Sequence, residues 1–571
     1  MRARRGPERG QRLREVLRDP GRAWYVTRTA ADVWHFVRDL GAGEYLDWDF
    51  SIPAGMPGGY PTPQLVYSRI GVAMATTDED QVGPYTGSWI TSFVSPTAGY
   101  GSRSTTGSIS TTSLALVDGK LTSASVGRRM TIAGAGAGGV DLDTNIVAVG
   151  GPNTCTVSPA ASTQVSSAQV TLWPSHRWSS TAGSTVTWTS PSGTTDVGIV
   201  VVLLTNGGLA KVAVDGDPTR ATLLPTAQQV VDAGTYAASI LTTNGGTLQP
   251  TDRVLNCYLN GSNYSESKLL ATGLASGVHT VTVTATGYAP IVAGSANRTY
   301  VTGFAASQPG LVTPATPGAL ILTTSRVLTQ QSALEAVYWW VPPGHPTGDF
   351  VGRLHGHEIQ LSLTFALDGA PTTIPVGGVV TVPPGSRMVI TQTTELRHPH
   401  VNAGATKIGD ATIVYTLDGE GMTTDTTVTS LITAQLVSGY AAMLPLDPHY
   451  DRYTSSGLRG PVTSTSADDT QKGPARAWIG ALWTSADRYA MSLELLYPGE
   501  STNYWARSAP GHMYVQDRSP SGGLRVNKIY ASRIGSPATA EPITPGVVLR
   551  GGAVYRFRRI AGGAEQALAG I

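Results

Sequence analysis

Cysteine is nearly absent. Two occur in 571 residues, Cys155 and Cys257. A disulfide framework needs an even set of cysteines in a short chain, so that class is excluded, and the two thiols are expected as single buried groups in different domains. Charge is scarce too: Asp, Glu, Lys and Arg make up 14% of the chain, with a formal net of +1. Such a balanced molecule has no electrostatic claim on nucleic acid or on a membrane surface. No apolar run approaches the roughly 20 residues of a membrane-spanning helix, so no membrane insertion is expected. Residues 1–28 carry nine Arg against three acids, but no apolar segment follows them, so they lack the form of a secretory signal and read as a basic helix or packing surface. Neither His-Glu-x-x-His nor Gly-x-Ser-x-Gly occurs. The run Gly134-Ala-Gly-Ala-Gly-Gly is followed by a strand pattern rather than a helix, which argues against a nucleotide loop. No cofactor is expected.

What is abundant is Gly, at 67, and Pro, at 37, with Val, Ile, Leu, Ser and Thr throughout. That is the composition of many short strands joined by turns, long enough for several domains of about 100–200 residues each. Residues 183–287 are the clearest case. Thr-Val-Thr-Trp-Thr, an apolar run over 197–204, Val-Ala-Val-Asp-Gly at 212–216 and a strand starting after Ser276-Gly277 alternate with period two between turn residues. The Val-x-Val-Asp-Gly piece and the Leu-x-x-Gly-x-His-x-Val-x-Val piece at 274–283 resemble the galactose-binding-like jelly rolls appended to phage tail and carbohydrate-active proteins. Over 121–161, a Gly-rich turn followed by Leu-Asp-Thr-Asn-Ile-Val-Ala-Val and Thr-Cys-Thr-Val-Ser-Pro-Ala-Ala resembles a repeated pattern of phage tail fibres and tailspikes. The order of strands in the last third, around an Asp-Gly turn and Tyr440-Ala-Ala-Met-Leu-Pro, is similar to the supersandwich of sugar mutarotases and some polysaccharide lyases.

The expected fold is therefore mainly β and multidomain: a helical N-terminal anchor, then β-sandwich and jelly-roll domains, then a large C-terminal antiparallel β-sandwich. The expected division is 1–64, a helical and aromatic attachment and oligomerisation segment; 65–182, a short-strand tail-fibre-like domain; 183–308, the jelly roll; 309–317, a Pro-rich linker; and 318–571, the supersandwich-like domain. Within the first segment, one helix is expected over residues 9–18 and a second from a cap at Thr29, with Val33, Phe36, Val37 and Leu40 on one face and Gly41 as the stop. Trp24, Tyr25, Trp34, Tyr45, Trp48 and Phe50 crowd this segment, a density that calls for burial against neighbours.

Candidate site residues lie in the C-terminal part. His355 and His357, next to Glu358, and His398 and His400 are each spaced by two, which on a strand turns both rings to one face. With His449 they could be structural, contact sugar, hold a metal or serve as acid/base groups, and a resident metal is left open. Trp339, Trp340, Trp478, Trp483, Tyr504 and Trp505 are candidate platforms for sugar rings. The resemblances imply a phage minor tail or tail-fibre protein of the virion, assembled in the bacterial cytoplasm, that recognises host cell-surface polysaccharide during adsorption. Its implied partners are other tail proteins and copies of itself as a homotrimer. A tail enzyme that degrades polysaccharide and a purely structural tail component are the two alternatives.

Overall fold

A computed structural model describes residues 5–30, 32–52, 62–78, 82–93, 103–117, 119–173, 175–259, 264–292, 296–316, 319–327, 337–345, 348–355, 357–458, 460–464, 470–484, 489–496, 512–518, 526–531, 534–535 and 540–560. Strands dominate these residues, and the strands of the named sheets pair antiparallel. The first expected helix forms as α1, Arg5–Leu17, and stops ahead of Asp19-Pro20-Gly21. The second does not. Residues 24–51 are three strands, β1 (Trp24–Ala30), β2 (Val33–Gly41) and β3 (Glu44–Ser51), followed by β4 (Gln64–Asp78).

The reason is visible in the pairing. Trp34 stands opposite Phe50 and Phe36 opposite Trp48, so alternate residues of β2 and β3 turn large rings to one face. Trp24, Val26, Trp34, Phe36, Leu46, Trp48 and Phe50 form a single apolar layer there. A helix would have scattered these rings around its circumference, whereas strands collect them. The layer is buried against the chain's own C-terminal strands, with Tyr415 within 5.3 Å of Phe50 and 6.3 Å of Phe36, ring centre to ring centre. The Trp24 indole N–H donates to the Asp418 carbonyl at 2.8 Å. The expected burial of these aromatics is met, but within the chain. They do not offer a free attachment surface.

β1 to β4 continue into a nine-stranded sheet. It also takes Asp196–Leu203, Tyr264–Ala271, Gly303–Ser307, Ala319–Val327 and Val379–Val382, so one sheet draws on segments expected as separate domains. Its β1–β4 end packs on a ten-stranded C-terminal sheet that includes Glu358–Leu367, Met388–Arg397, Lys407–Asp418, Gly421–Ser430 and Val548–Arg559. Its other end faces a five-stranded sheet built on Thr185–Thr189, Leu209–Val214 and Thr280–Ala285. Between these layers Trp188 stacks on Phe304 at 5.3 Å, and Val186, Ile199, Val201, Val212, Val281 and Val283 complete the core. Residues 183–308 thus supply strands to two facing layers, joined by short strands from 85–93 and 175–179.

Residues 103–172 close into a six-stranded barrel with its own apolar core, including Cys155. The strand before it, Ile90–Phe93, pairs with the strand after it, Ser175–Ser179. The barrel is thus an insertion whose two ends leave the sandwich side by side. Both cysteines are free and buried in different cores, and burial pushes each thiol up to about 11. After the Gly-rich run, Leu142–Gly151 is a strand of the barrel, as expected. The jelly-roll motif has a mechanical role: Asp215, in its Asp-Gly turn at φ 52°, holds the His279 ring at 2.8 Å and accepts the Thr280 N–H at 2.8 Å. That bond ties the turn to the neighbouring strand.

Candidate functional site

The histidine pairs do not lie on strands. His355 ends a short 3-10 turn, His357 sits at φ 57°, and His398 and His400 follow the strand Met388–Arg397 in a turn. The premise of two rings on one strand face therefore fails. His398 is fully buried and fastens its turn: its Nε2 lies 3.0 Å from the Trp340 carbonyl, and its Nδ1 accepts the His400 N–H at 3.2 Å. That fixes the tautomer with the proton on Nε2. Burial holds its pKa below the ordinary value. The rings of His398 and His400 are 5.4 Å apart, and His400 reaches Asp349 at 3.9 Å. His355 stacks on Phe350 at 4.6 Å, and burial lowers its pKa as well. The half-buried Trp339 meets the other side of Phe350 edge-on at 4.8 Å. His355, His398, His400 and Trp339 thus gather around the strand Asp349–Val351. His449 does not join them; it pairs with Asp447 at 2.5 Å. Glu358 is also apart, buried in an ion pair with Arg353. Among the described residues no group of three His, Cys, Asp or Glu side chains is placed to hold a metal.

Of the four aromatic candidates among the described residues, three are structural. Trp340 and Trp483 are core residues. Trp478 is covered by α1, with the Arg14 guanidinium 5.3 Å from its ring centre and Gly10 so close that a Cβ there would overlap the indole. Tyr504 and Trp505 lie outside the described residues. The helix itself docks by Leu13 and Leu17 onto Ile479, Ala481, Trp483, Ala490 and Ile560. Arg14 in the helix and Arg18 just past it meet acids of the same chain, Arg14 on Glu494 and Arg18 on Glu420 at 2.5 Å. Because Leu13 is fully buried, Leu13→Ala should weaken this docking by about 2–3 kcal/mol. The loss would register as a red shift of tryptophan emission when Trp478 is uncovered, and an unchanged spectrum would contradict it.

A cleft that brings aromatic rings and carboxylates together lies on the other face of β1–β3. Its volume is about 740 Å³, and it is lined from seven parts of the chain: Arg22 with Tyr25, Asp39 with the turn Gly41 to Tyr45, Val72 with Ala73, Thr195 with Asp196, Thr272 with Gly273, Ser307 to Gly310 with Val312 and Thr313, and Arg559. The register explains it. Asp39 stands opposite Tyr45, and Tyr25 opposite Val37 two residues along β2, so all four point to the same side. Tyr25 and Tyr45 meet edge to face at 6.2 Å. The β2–β3 turn closes one end. Asp39 Oδ1 accepts the Gly41 N–H at 2.7 Å, and Gly41, Ala42 and Gly43 all have positive φ. Gly41 suits the position by its φ of 84°, and a Cβ there would come within 2.5 Å of the Arg22 guanidinium and displace that side chain.

The polar groups around the cleft are held in place. The Tyr489 hydroxyl donates to Glu44 at 3.0 Å, and Arg559 reaches Glu44 at 3.3 Å. Asp196 accepts the Gly273 N–H at 3.1 Å, the Thr195 hydroxyl at 2.9 Å and the Ser307 hydroxyl. Burial, then the charge of Asp39, raises the pKa of both phenols, with Tyr25 adding to the effect on Tyr45. Both phenols therefore stay protonated and can donate as well as accept. Aromatic edges and faces, fixed carboxylates and hydroxyls around a concave surface suit a ligand that is apolar on its C–H faces and rich in hydroxyls at its rim. Sequence reasoning had placed Tyr25 and Tyr45 in a packing segment. The available signal was Asp39 ahead of Gly41-Ala42-Gly43, a turn that brings flanking aromatics face to face.

No family model and no curated protein matches the chain. Among solved structures, a Klebsiella pneumoniae subsp. pneumoniae protein assigned as an aldose 1-epimerase is similar at 8% identity over 38% of this chain and 66% of that one, with a TM-score of 0.22. A TPR-domain containing protein from Parabacteroides distasonis is similar at 10% identity over 42% of this chain and 44% of the other, with a TM-score of 0.24. The chain spans less than two thirds of either, and likeness at these scores carries no argument.

Proposed function

We propose that this chain is a structural protein of a phage tail tip or fibre that recognises host cell-surface glycan during adsorption. The observation that carries the glycan part is the cleft in which Tyr25, Tyr45 and Asp39 share one side of the sheet. The virion setting rests on the tail-fibre-like pattern over 121–161 and the jelly-roll motif. In this reading the partners are other tail proteins, further copies of the chain in a homotrimer, and host polysaccharide. Attachment uses surfaces other than the aromatic layer of β1–β3, which is consumed in the core. Single clefts bind weakly, and three on one fibre multiply the effect.

The test is calorimetric titration of the full chain with oligosaccharides from host wall and capsule. Tyr25→Ala removes a half-buried ring from the cleft wall and should weaken binding about tenfold, equivalent to about 1.4 kcal/mol, with little change in melting temperature. New reducing or unsaturated ends in the same mixtures would replace the binding reading with polysaccharide cleavage. Absence of binding to any host glycan would leave a purely structural tail component.

A further inference from the structure

The glycan reading leaves open what kind of sugar the cleft accepts, and its charges bear on that. Three carboxylates line it, Asp39, Glu44 and Asp196, against two guanidiniums, Arg22 and Arg559. Both guanidiniums are already matched. Arg22 pairs with Asp19 at 3.4 Å and lies over Gly41, and Arg559 pairs with Glu44 at 3.3 Å. Both oxygens of Asp196 already accept hydrogen bonds, Oδ1 from Gly273 and Oδ2 from Thr195 and Ser307. Asp39 differs: one oxygen caps the turn through Gly41, and its second oxygen makes no hydrogen bond among the described residues. It stands opposite Tyr45 in register, beside the tyrosine pair.

An anionic sugar in this cleft would set its charge against Asp39 in a partly desolvated site, with both nearby cations already neutralised. A neutral sugar would instead offer hydroxyl donors to the available Asp39 oxygen, each forming a charge-assisted hydrogen bond. Tyr25, half-buried and backed by the buried Tyr45, would take its C–H face. Resting on the glycan reading above, we infer that the cleft selects neutral glycan and rejects uronate-bearing glycan, with Asp39 as the residue that sets the choice.

The discriminating variant is Asp39→Asn. Asparagine keeps an oxygen to cap Gly41, so the turn is preserved, while the charge is lost and the available acceptor oxygen becomes an amide donor. The full chain is titrated with neutral glucose and galactose oligosaccharides and with the matching glucuronate and galacturonate oligosaccharides, at low and high salt. Neutral oligosaccharides should bind at least about tenfold more tightly than uronates, a gap of about 1.4 kcal/mol. Added salt should narrow that gap, and Asp39→Asn should nearly close it by weakening neutral binding and admitting uronates. Uronates that bind as tightly as neutral sugars, through Tyr25, overturn the selectivity while the glycan reading stands. Binding of neither class brings down both. A gap that persists unchanged in Asp39→Asn overturns the role of Asp39.

Discussion

Glu358→Ala should lower the stability of the chain by about 3–5 kcal/mol, the usual result of stripping one partner from a buried ion pair. Glu358 is 1% exposed and Arg353 is 3% exposed. The carboxylate receives the Arg353 guanidinium at 2.7 Å, the Arg353 backbone N–H at 2.5 Å and the Thr394 hydroxyl at 2.7 Å. Arg353 holds φ 53°, a left-handed conformation unfavourable for a side chain with a Cβ, and its guanidinium also donates to Gln392 at 2.9 Å. Gln392 in turn donates to the Pro63 carbonyl at 2.9 Å, and the Thr62 hydroxyl donates to the Glu358 carbonyl at 2.6 Å. The network therefore pins the chain just ahead of β4 to the edge of the ten-stranded sheet. Removing the carboxylate takes the charge partner from a buried cation and the acceptor from a backbone N–H, and releases the strained turn. Urea unfolding of the variant should show the loss, with Glu358→Gln intermediate because it keeps one acceptor. If Glu358→Ala instead unfolds like the parent and loses only ligand binding, Glu358 belongs to a functional site and this account fails.

The same residue shows what the sequence could and could not convey. Glu358 beside His355 and His357 looked like a ligand set because the spacing was read on a strand. The strand begins only at Glu358, after a 3-10 turn and a positive φ at His357, and no local pattern marks that boundary. Strands bounded by Asp-Gly and Ser-Gly turns were legible, as at 209–216 and 277–285, because period two and turn chemistry agree there. The first segment forms strands in place of the expected second helix, and part of the strand signal is present in its sequence. In β3, Tyr45, Asp47 and Asp49 alternate with Leu46, Trp48 and Phe50, a plain strand pattern. In β2, Val33, Phe36, Val37 and Leu40 also satisfy helical spacing, because both faces of that strand are largely buried and apolar residues appear on each. The cleft was less legible still. Its Tyr25, Asp39, Asp196, Gln308 and Arg559 come from distant parts of the chain, and only the pairing of sheets brings them together.

Asp47→Asn should cost about 3 kcal/mol, the low end of the Glu358→Ala loss because the amide keeps one acceptor, and should also flatten the dependence of stability on pH. Asp47 lies on the outer face of β3, 2% exposed, between His35 on β2 and Arg69 on β4. Its oxygens lie 3.0 Å from His35 Nδ1 and 2.9 Å from Arg69 Nε. Burial by itself would raise the Asp47 pKa, but the charges of His35 and Arg69 and their hydrogen bonds outweigh it and bring the value down to about 2, below the ordinary 3.8. Burial by itself would lower the His35 pKa, but the charge and hydrogen bond of Asp47, with the charge of Asp49, outweigh that and the opposing Arg69, and raise it above the ordinary 6.5. The two shifts give two limbs. The depressed carboxylate contributes stability that is complete above its unfolded value of 3.8 and is lost as pH falls toward about 2. The raised imidazole contributes stability that is complete below its unfolded value of 6.5 and is lost as pH rises through its higher folded value. The cluster is therefore most stabilising between those two unfolded values. In Asp47→Asn the acid limb loses its carboxylate, and the alkaline limb loses the Asp47 charge that holds the proton on His35, leaving Asp49 opposed by Arg69. Melting temperatures across the pH range should show both limbs reduced in the variant. An alkaline limb as steep as the parent's would mean that Asp49, and not Asp47, holds the proton on His35.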